Sequence, residues 1–142
     1  SRGELAGERL EVALFSQDQE DEHSCFSDNT HRDAVTNAQG ILNVWTGTYK
    51  QANGEVLKVS SLADLVASAS TELSSKTTAQ IQNSVKAAQA IQAPFDREII
   101  GGADAPGPKR IKATVASLVE QSTLLVESAN AIGITRLTLT MP

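Results

Sequence analysis

Aromatic residues and cysteine are both scarce in this chain of 142 residues. Phe, Trp and Tyr together make up 4% of the sequence, whereas apolar residues of all kinds make up 40%. A core built mainly from Ala, Val, Leu and Ile is typical of closely packed helices, although composition alone does not exclude strands. The single cysteine, Cys25, excludes an internal disulfide and does not indicate the redox compartment.

Long apolar runs and clustered basic residues are also missing. No run approaches the length that is needed to cross a bilayer, so we expect no transmembrane segment. The net charge is −5 and the twelve Lys and Arg residues are scattered, which argues against a nucleic-acid partner. The sequence shows no signal peptide and starts at Ser1 rather than Met, inside a helical pattern. We therefore expect this N-terminus to be a cut within a longer protein.

Four segments of the chain carry apolar residues at the spacing of an amphipathic helix. Capping residues, prolines at helix starts and glycines after helix ends support their boundaries. The segments are residues 4–15, 30–46, 61–92 with a break between 68 and 75, and 108–132. The sequence therefore predicts an all-α fold, a four-helix bundle-like single domain with long loops that comprises residues 1–142.

Residues 48–59 interrupt the helical pattern. They contain Asn53-Gly54, the preferred pair for a two-residue hairpin turn. The alternation on either side of this pair is imperfect, so the segment predicts either a small β-hairpin or an irregular loop. The C-terminal tail, residues 135–142, also alternates like a short strand.

Most of the reactive side chains lie in one polar stretch, EDEHSCFSDNTHRD, at residues 20–33. Its fourteen positions hold five acidic residues, both histidines and the cysteine. We expect Phe26, its one large apolar residue, to anchor the stretch to the core. Thr30 and Asp33 have the spacing of a capping box, so we expect their side chains to cap the start of the second helix.

Three interpretations of this stretch stay open. The first is a metal site, because imidazole and carboxylate groups are metal ligands, although His23 and His31 lack the spacing of a zinc-protease helix. The second is part of a larger catalytic site with Cys25 as the nucleophile, although the neighbouring acids disfavour a thiolate. The third is a polar loop whose side chains bond to its own backbone. Structureless loops of this length are uncommon in compact domains and are often functional.

The segment QEDEHSCFSDNTHRD, continuing into NAQGILNVWTG, closely resembles the second-half signature of the imelysin family. The segments RGELAGERL and PFDREI also resemble that family, so the resemblance covers most of the chain. Imelysins are iron-regulated proteins of the bacterial cell envelope that were once classed as insulin-cleaving metallopeptidases. The polar stretch is long and unusual in composition, which makes a chance match improbable.

The resemblance implies an all-helical protein whose two bundle-like halves pack around a functional site. The family's Gly-x-His-x-x-Glu motif belongs to the first half and is absent here, so this chain resembles the C-terminal half, and its implied partner is the N-terminal half. Iron or another divalent metal is the implied cofactor, with Glu22, His23 and His31 as candidate metal ligands. The other candidates for the wall of the site are Glu20, Asp21, Ser24, Cys25, Phe26, Asp28, Asn29 and Thr30.

Three functions are compatible with these expectations. The first is iron uptake or iron sensing in the periplasm or at the outer membrane, with this chain supplying the second half of an inter-domain site. The second is a metallopeptidase-related domain that lacks the catalytic motif. The third is a non-enzymatic protein-interaction module in which the polar stretch docks a partner. No catalytic residue is assigned, because the chain contains no hydrolytic metal motif.

Overall fold

The computed structural model of the protein describes residues 1–136. Most of the predicted strand-like tail, residues 137–142, lies outside the described residues. The described part contains six helices and a two-stranded antiparallel sheet, which confirms the predicted helical fold with a small hairpin. In chain order the elements are α1 (Arg2–Glu11 as a π-helix, continuing over Val12–Ser16 as an α-helix), a 3₁₀ turn (Gln19–Asp21), α2 (Thr30–Thr46), β1 (Thr48–Lys50), β2 (Val56–Lys58), α3 (Leu62–Ala69), α4 (Thr71–Ala90), α5 (Phe95–Glu98) and α6 (Pro106–Ala131).

The two central helices of the bundle are α4 and α6. Helix α6 packs against α1 and α4, and α4 packs in turn against α2 and α3. The larger apolar cluster lies among α1, α2, α4, α5 and α6. Each fully buried aliphatic or aromatic side chain in such a cluster contributes roughly 1.5–3 kcal/mol of transfer free energy. The largest fully buried apolar side chains of this cluster are Phe95, Leu10, Ile99, Ile111 and Leu118.

Helix α1 is amphipathic, but its first ten residues are wound as a π-helix rather than the α-helix that we predicted. Its amide–carbonyl bonds join residues five apart, as between Ala6 N and Ser1 O at 2.9 Å. This winding places Leu5 and Leu10 on the same face, and both are buried. On the exposed side, Arg9 and Glu4, which are also five residues apart, form an ion pair at 3.4 Å.

The β-hairpin pairs Thr48 with Lys58 and Lys50 with Val56. Its turn spans residues 51–55, so the predicted two-residue turn at Asn53-Gly54 is wrong. The Asn53 side chain accepts from the Glu55 amide at 2.9 Å, and this local bond stabilises a longer loop. The smaller apolar cluster lies nearby and is built on Trp45, Val66 and Ile81.

Predicted helix boundaries are confirmed where a local side chain or glycine sets them. The Ser61 hydroxyl accepts from the Asp64 amide at 2.9 Å and starts α3. Ser70 is extended and caps α4 through the Leu73 amide at 3.2 Å, which produces the predicted break. Gly133 has a φ of 86° and closes α6 with a Schellman arrangement.

Within residues 1–136, no helix combines the length and apolar character that a membrane span requires.

The contact between α4 and α6 contains a row of polar side chains, which we call the polar seam. Thr77 bonds to Ser128 at 3.0 Å, and Ser117 bonds to both Gln80 and Ser84 at 2.9 Å. These hydroxyl and amide groups are largely satisfied inside the bundle, so their burial is tolerated. The seam continues to Gln121, which is fully buried and whose amide atoms have no hydrogen-bond partner among the described residues.

The start of α6 lies directly against α5. Helix α6 begins at Pro106, two residues earlier than the Pro108 start that we predicted, and both prolines occupy its first turn. A Cβ atom added to Gly107 would lie 2.4 Å from the Glu98 carbonyl oxygen and 2.7 Å from its Cα. Gly107 is therefore required by the close approach of two backbones rather than by its φ angle.

We expect Gly107→Ala to lower the free energy of unfolding by about 2 kcal/mol, because the new methyl group must push α5 away from α6. Gly40→Ala in α2 is the matched control, since an added Cβ there meets no atom within 4 Å. That control should gain about 1 kcal/mol through helix propensity. Chemical denaturation of both variants measures the two changes, and a neutral Gly107→Ala would contradict the close approach.

Candidate functional site

The polar loop between α1 and α2, residues 17–29, is held by its own hydrogen bonds. Gln17 ends α1 with a φ of 54°, and its side-chain amide donates to the Gly101 carbonyl at 2.7 Å. The Asp18 carboxylate accepts from the Glu20 amide at 3.0 Å and starts the 3₁₀ turn. The first part of the loop is therefore fixed both locally and against the segment that follows α5.

The second part of the loop is fixed by side chains from the start of α2. The Thr30 hydroxyl accepts from the Ser24 amide at 3.1 Å, and the Ser24 hydroxyl donates to the Asp33 carboxylate. The predicted capping box is therefore wrong, because α2 starts at Thr30 without a side-chain cap. Thr30 and Asp33 bond to the loop instead of to their own helix. Within the loop, Gln19 donates to the Asp28 carboxylate at 2.9 Å.

Glu22 is the buried acid of this loop. Its residue is 6% exposed, and neither carboxylate oxygen has a hydrogen-bond partner among the described residues. Burial raises the pKa of Glu22 above its ordinary value, and the nearby carboxylates of Asp96 and Asp28 raise it further. The Thr30 hydroxyl lies close enough to lower this pKa in part, although its geometry falls short of a hydrogen bond to the carboxylate. Glu22 is therefore an acid that faces the interior and other acids rather than a cation.

Asp96, which our sequence analysis did not assign to the site, is the acid opposite this loop. It belongs to α5, and its Oδ1 atom is buried without a hydrogen-bond partner among residues 1–136. The one sequence signal was its place in PFDREI, a segment that we cited only for its resemblance to imelysins. The spacing of residues along the sequence could not have indicated Asp96, because its effect on Glu22 arises only in the folded chain.

Helix α5 is held in place by an ion pair to α6. Arg110 donates to both carboxylate oxygens of Glu98, at 2.7 Å from Nε and 2.5 Å from Nη2. The Gln92 amide also donates to Glu98 at 3.1 Å. The Arg110 hydrogen bonds lower the pKa of Glu98 against the opposing effect of its burial. Because α5 has only four residues, this contact and the buried Phe95 fix its position.

The two histidines lie in different surroundings. His23 Nδ1 is 3.7 Å from an Asp33 carboxylate oxygen, and the His23 side chain is 38% exposed. His31 borders a small groove with Val35 and Ile91, and its Nδ1 atom is buried without a partner among the described residues. Residues 1–136 contain no group of three or more His, Cys, Asp or Glu side chains placed to hold a metal ion. The assignment of Glu22, His23 and His31 as ligands stays a prediction.

Phe26 points into solvent and is 99% exposed, so the prediction that it anchors the loop is wrong. Polar bonds hold the loop, which leaves this ring free of the core. Phe15 on α1 is also 93% exposed, and a groove of about 610 Å³ runs beside it between α1 and α6. A second groove, of about 640 Å³, borders Phe15, Val12 and the loop residue Asp21. The molecule thus exposes apolar surface around the end of α1.

A sequence profile of the imelysin family matches residues 1–125, and the chain belongs to this family. Imelysins are classified with the peptidases, so the domain is imelysin-like and peptidase-related. A search of curated proteins found no match to this chain. The family match confirms the resemblance that the polar stretch and its flanking segments indicated.

We expect Glu22→Gln to be more stable than the wild type at pH 8 and to have nearly the same stability at pH 4. Protonated Glu22 contributes stability below its unfolded pKa of 4.5, and this contribution is lost as the pH rises through the raised folded pKa. The charge-free variant cannot show that loss. Urea denaturation from pH 4 to pH 8 measures it, and a parallel loss in both proteins would contradict the buried charge.

Glu98→Gln should have the opposite effect at neutral pH. The lowered pKa of Glu98 means that its stabilising contribution is present above the unfolded value of 4.5 and is lost as the pH falls through the folded pKa. The variant is therefore expected to melt at a lower temperature than the wild type at pH 7, with a smaller difference at pH 3. Calorimetric scans at the two pH values check this, and a difference that grows in acid would be contrary to the ion pair.

Proposed function

We propose that this chain is the second half of a bacterial cell-envelope protein that serves iron uptake or iron sensing. In this proposal the polar loop, residues 17–29, forms one wall of a site that a preceding half completes. Membership of the imelysin family supports the general assignment. The observation that carries the proposal is Glu22, a carboxylate that the loop holds in the interior without a partner among the described residues.

The burial of Glu22 is costly, which is why it points to function. An unsatisfied buried polar group costs about 1–3 kcal/mol, and more when it is charged. Strained or unpaired groups of this kind occur preferentially at sites where a ligand or partner satisfies them. The hydrogen bonds of Asp18, Gln19 and Ser24 hold the loop in the arrangement that keeps Glu22 inside. The position of this acid is thus built into the loop.

The donor atoms fit iron in type but not in number. Carboxylate oxygens are suitable ligands for Fe²⁺ and other hard divalent cations. Glu22 offers two buried oxygens and Asp96 offers one, and Asp28 also lies near Glu22, but residues 1–136 contain no group of three such side chains placed to hold an ion. The proposal therefore requires further ligands from outside this half. Glu22 and Asp96 would hold the ion from this side, and His23 or His31 would act only if the docked half reorients them.

The apolar surface around α1 supports the docking of a preceding half. Phe15 is almost fully exposed between two grooves, and one of these grooves also includes Asp21 of the polar loop. A partner seated on this surface would cover Phe15 and at the same time close the loop side of the site. Large exposed aromatic residues rimmed by polar groups are typical of such contacts.

A protein-interaction module is the second candidate, and Phe26 favours it. This ring projects from an ordered, acidic loop into solvent, as an anchor for a partner would. In that case the loop would bind a protein without any metal, and Phe26 would contribute more than His23.

Anaerobic calorimetric titration with Fe²⁺ tests the main proposal. The chain is prepared alone and also joined to a preceding imelysin half, and the joined protein is expected to bind Fe²⁺ at least tenfold more tightly, because both sides then supply ligands. Phe15→Ser should reduce this advantage, whereas Val44→Ser, at an exposed position on α2, serves as a control that leaves it unchanged.

Two results would decide against the iron proposal. One is the absence of Fe²⁺ binding by both proteins. The other is a titration that remains unchanged in Glu22→Gln, His23→Ala and His31→Ala variants of the joined protein. Retained partner binding by His23→Ala with loss in Phe26→Ala would instead favour the interaction module.

A further inference from the structure

We propose that strand β2 is the contact strand of a symmetric dimer, in which two copies of this chain join their hairpins into one four-stranded sheet. The hairpin follows the end of α2, whereas the polar loop precedes the start of that helix. The two surfaces are therefore separated by about 25 Å along a helix of 17 residues. The dimer is independent of the proposed function, because it uses neither the polar loop nor the surface around Phe15.

The hydrogen bonds at the two ends of the hairpin determine how its backbone groups alternate. Gln51 N donates to Glu55 O at 2.8 Å, and Val59 N donates to Gly47 O at the same distance. Bonded and non-bonded residue pairs alternate along an antiparallel ladder. The register therefore places one further bonded pair midway between these two, with a non-bonded pair on either side of it.

This alternation gives β2 an outer edge that is open to another strand. The bonded pair in the middle of the hairpin is Tyr49 with Leu57. The backbone N–H and C=O groups of Val56 and Lys58 therefore point away from β1. All nine residues from 52 to 60 are exposed. Exposed backbone groups along a sheet edge are a template on which another strand can pair.

Exposed apolar side chains are concentrated at the same end of the molecule. The described residues include twelve large apolar side chains that are exposed, and seven of them lie between residues 44 and 65. Three of the seven, Val56, Leu57 and Val59, follow one another along β2 and the residue after it. A contiguous run of this kind on a surface is typical of a contact with another protein.

The distribution of charge favours a second copy as the occupant of this edge. The chain has a net charge of −5. Residues 44–65 nevertheless contain equal numbers of basic and acidic residues, namely Lys50, Lys58, Glu55 and Asp64. The excess negative charge therefore belongs to the rest of the chain. Two copies repel each other least when they meet through this neutral end.

The edge of β2 is also complementary to itself. Two β2 strands that pair antiparallel about a two-fold axis at Leu57 place Val56 opposite Lys58 of the second copy. Those pairs exchange the outward-pointing backbone hydrogen bonds, and Leu57 meets its own copy in the closely spaced non-bonded position. The two lysines do not oppose each other directly, because each faces a valine.

The other edge of the hairpin is less open to a further strand. Strand β1 follows α2 after a single residue, contacts that helix and begins at the half-buried Thr48. The addition of strands therefore stops once two hairpins have joined. A closed two-fold contact avoids the continued growth that a free edge strand invites.

Sedimentation equilibrium of the 142-residue chain measures this association. The average mass is expected to rise from that of a monomer to that of a dimer, with a dissociation constant on the order of 10 µM, as for a small interface. Leu57→Lys should weaken the dimer at least about tenfold, because it places two like charges opposite each other at the axis. Ile100→Lys makes the same change at an exposed aliphatic residue outside the hairpin and should dimerise as the wild type does.

Val56→Pro tests the backbone pairing separately from the side chain at the axis. Proline removes an N–H that points away from β1, so the hydrogen bonds within the hairpin are kept. The variant should melt at the same temperature as the monomeric wild type, as measured in dilute solution by circular dichroism, and should no longer dimerise. A Leu57→Lys protein that failed to fold would thus leave a second variant with the same expected result.

Amide hydrogen exchange tests the register. The Val56 and Lys58 amides should exchange more slowly as the dimer forms, whereas the Leu57 amide, which is bonded within the hairpin, should exchange at one rate throughout. The proposed dimer is contradicted if the chain stays monomeric at millimolar concentration, or if Leu57→Lys and Ile100→Lys associate equally. A dimer that leaves the exchange of Val56 and Lys58 unchanged would place the contact elsewhere, and slow exchange of both in a monomer would mean that another part of the chain covers β2.

Discussion

The ion pair between Glu98 and Arg110 is the contact on which the candidate site depends. It holds a helix of four residues against the start of α6, where the missing side chain of Gly107 lets the two backbones meet. Without this contact, α5 has too few internal hydrogen bonds to keep a defined position. Since Asp96 lies on α5, the geometry of the acid opposite the polar loop follows from a contact that is not itself part of the site.

Two glutamates in this region are equally buried, but their pKa values are shifted in opposite directions because their partners differ. Glu98 is buried with an arginine and two hydrogen bonds from it, so its negative charge is stabilised and its pKa is lowered. Glu22 is equally buried but faces Asp96 and Asp28, so its pKa is raised. The first acid stabilises the fold near neutral pH, and the second destabilises it. That contrast separates a carboxylate whose burial is compensated by a cation from one whose burial is not.

Features that were predictable from the sequence depend on residues close together in the chain. The caps at Ser61 and Ser70 and the glycine end of α6 each involve a few neighbouring residues, and all are present. The failures have a tertiary cause. Thr30 bonds to the loop instead of to its helix because the Ser24 amide competes for its hydroxyl, and Phe26 is exposed because polar bonds already hold the loop. The effect of Asp96 on Glu22 could not be predicted from the spacing of residues, because it joins positions far apart in the chain.

The polar seam between α4 and α6 determines the axial register of these two helices. Apolar side chains pack in many alternative offsets, but a hydroxyl that needs a particular partner does not. If α6 slid by one turn along α4, Ser117 would lose both Gln80 and Ser84, and Ser128 would lose Thr77. The seam therefore selects one axial register of α4 against α6. An all-leucine version would gain cohesion and lose that uniqueness.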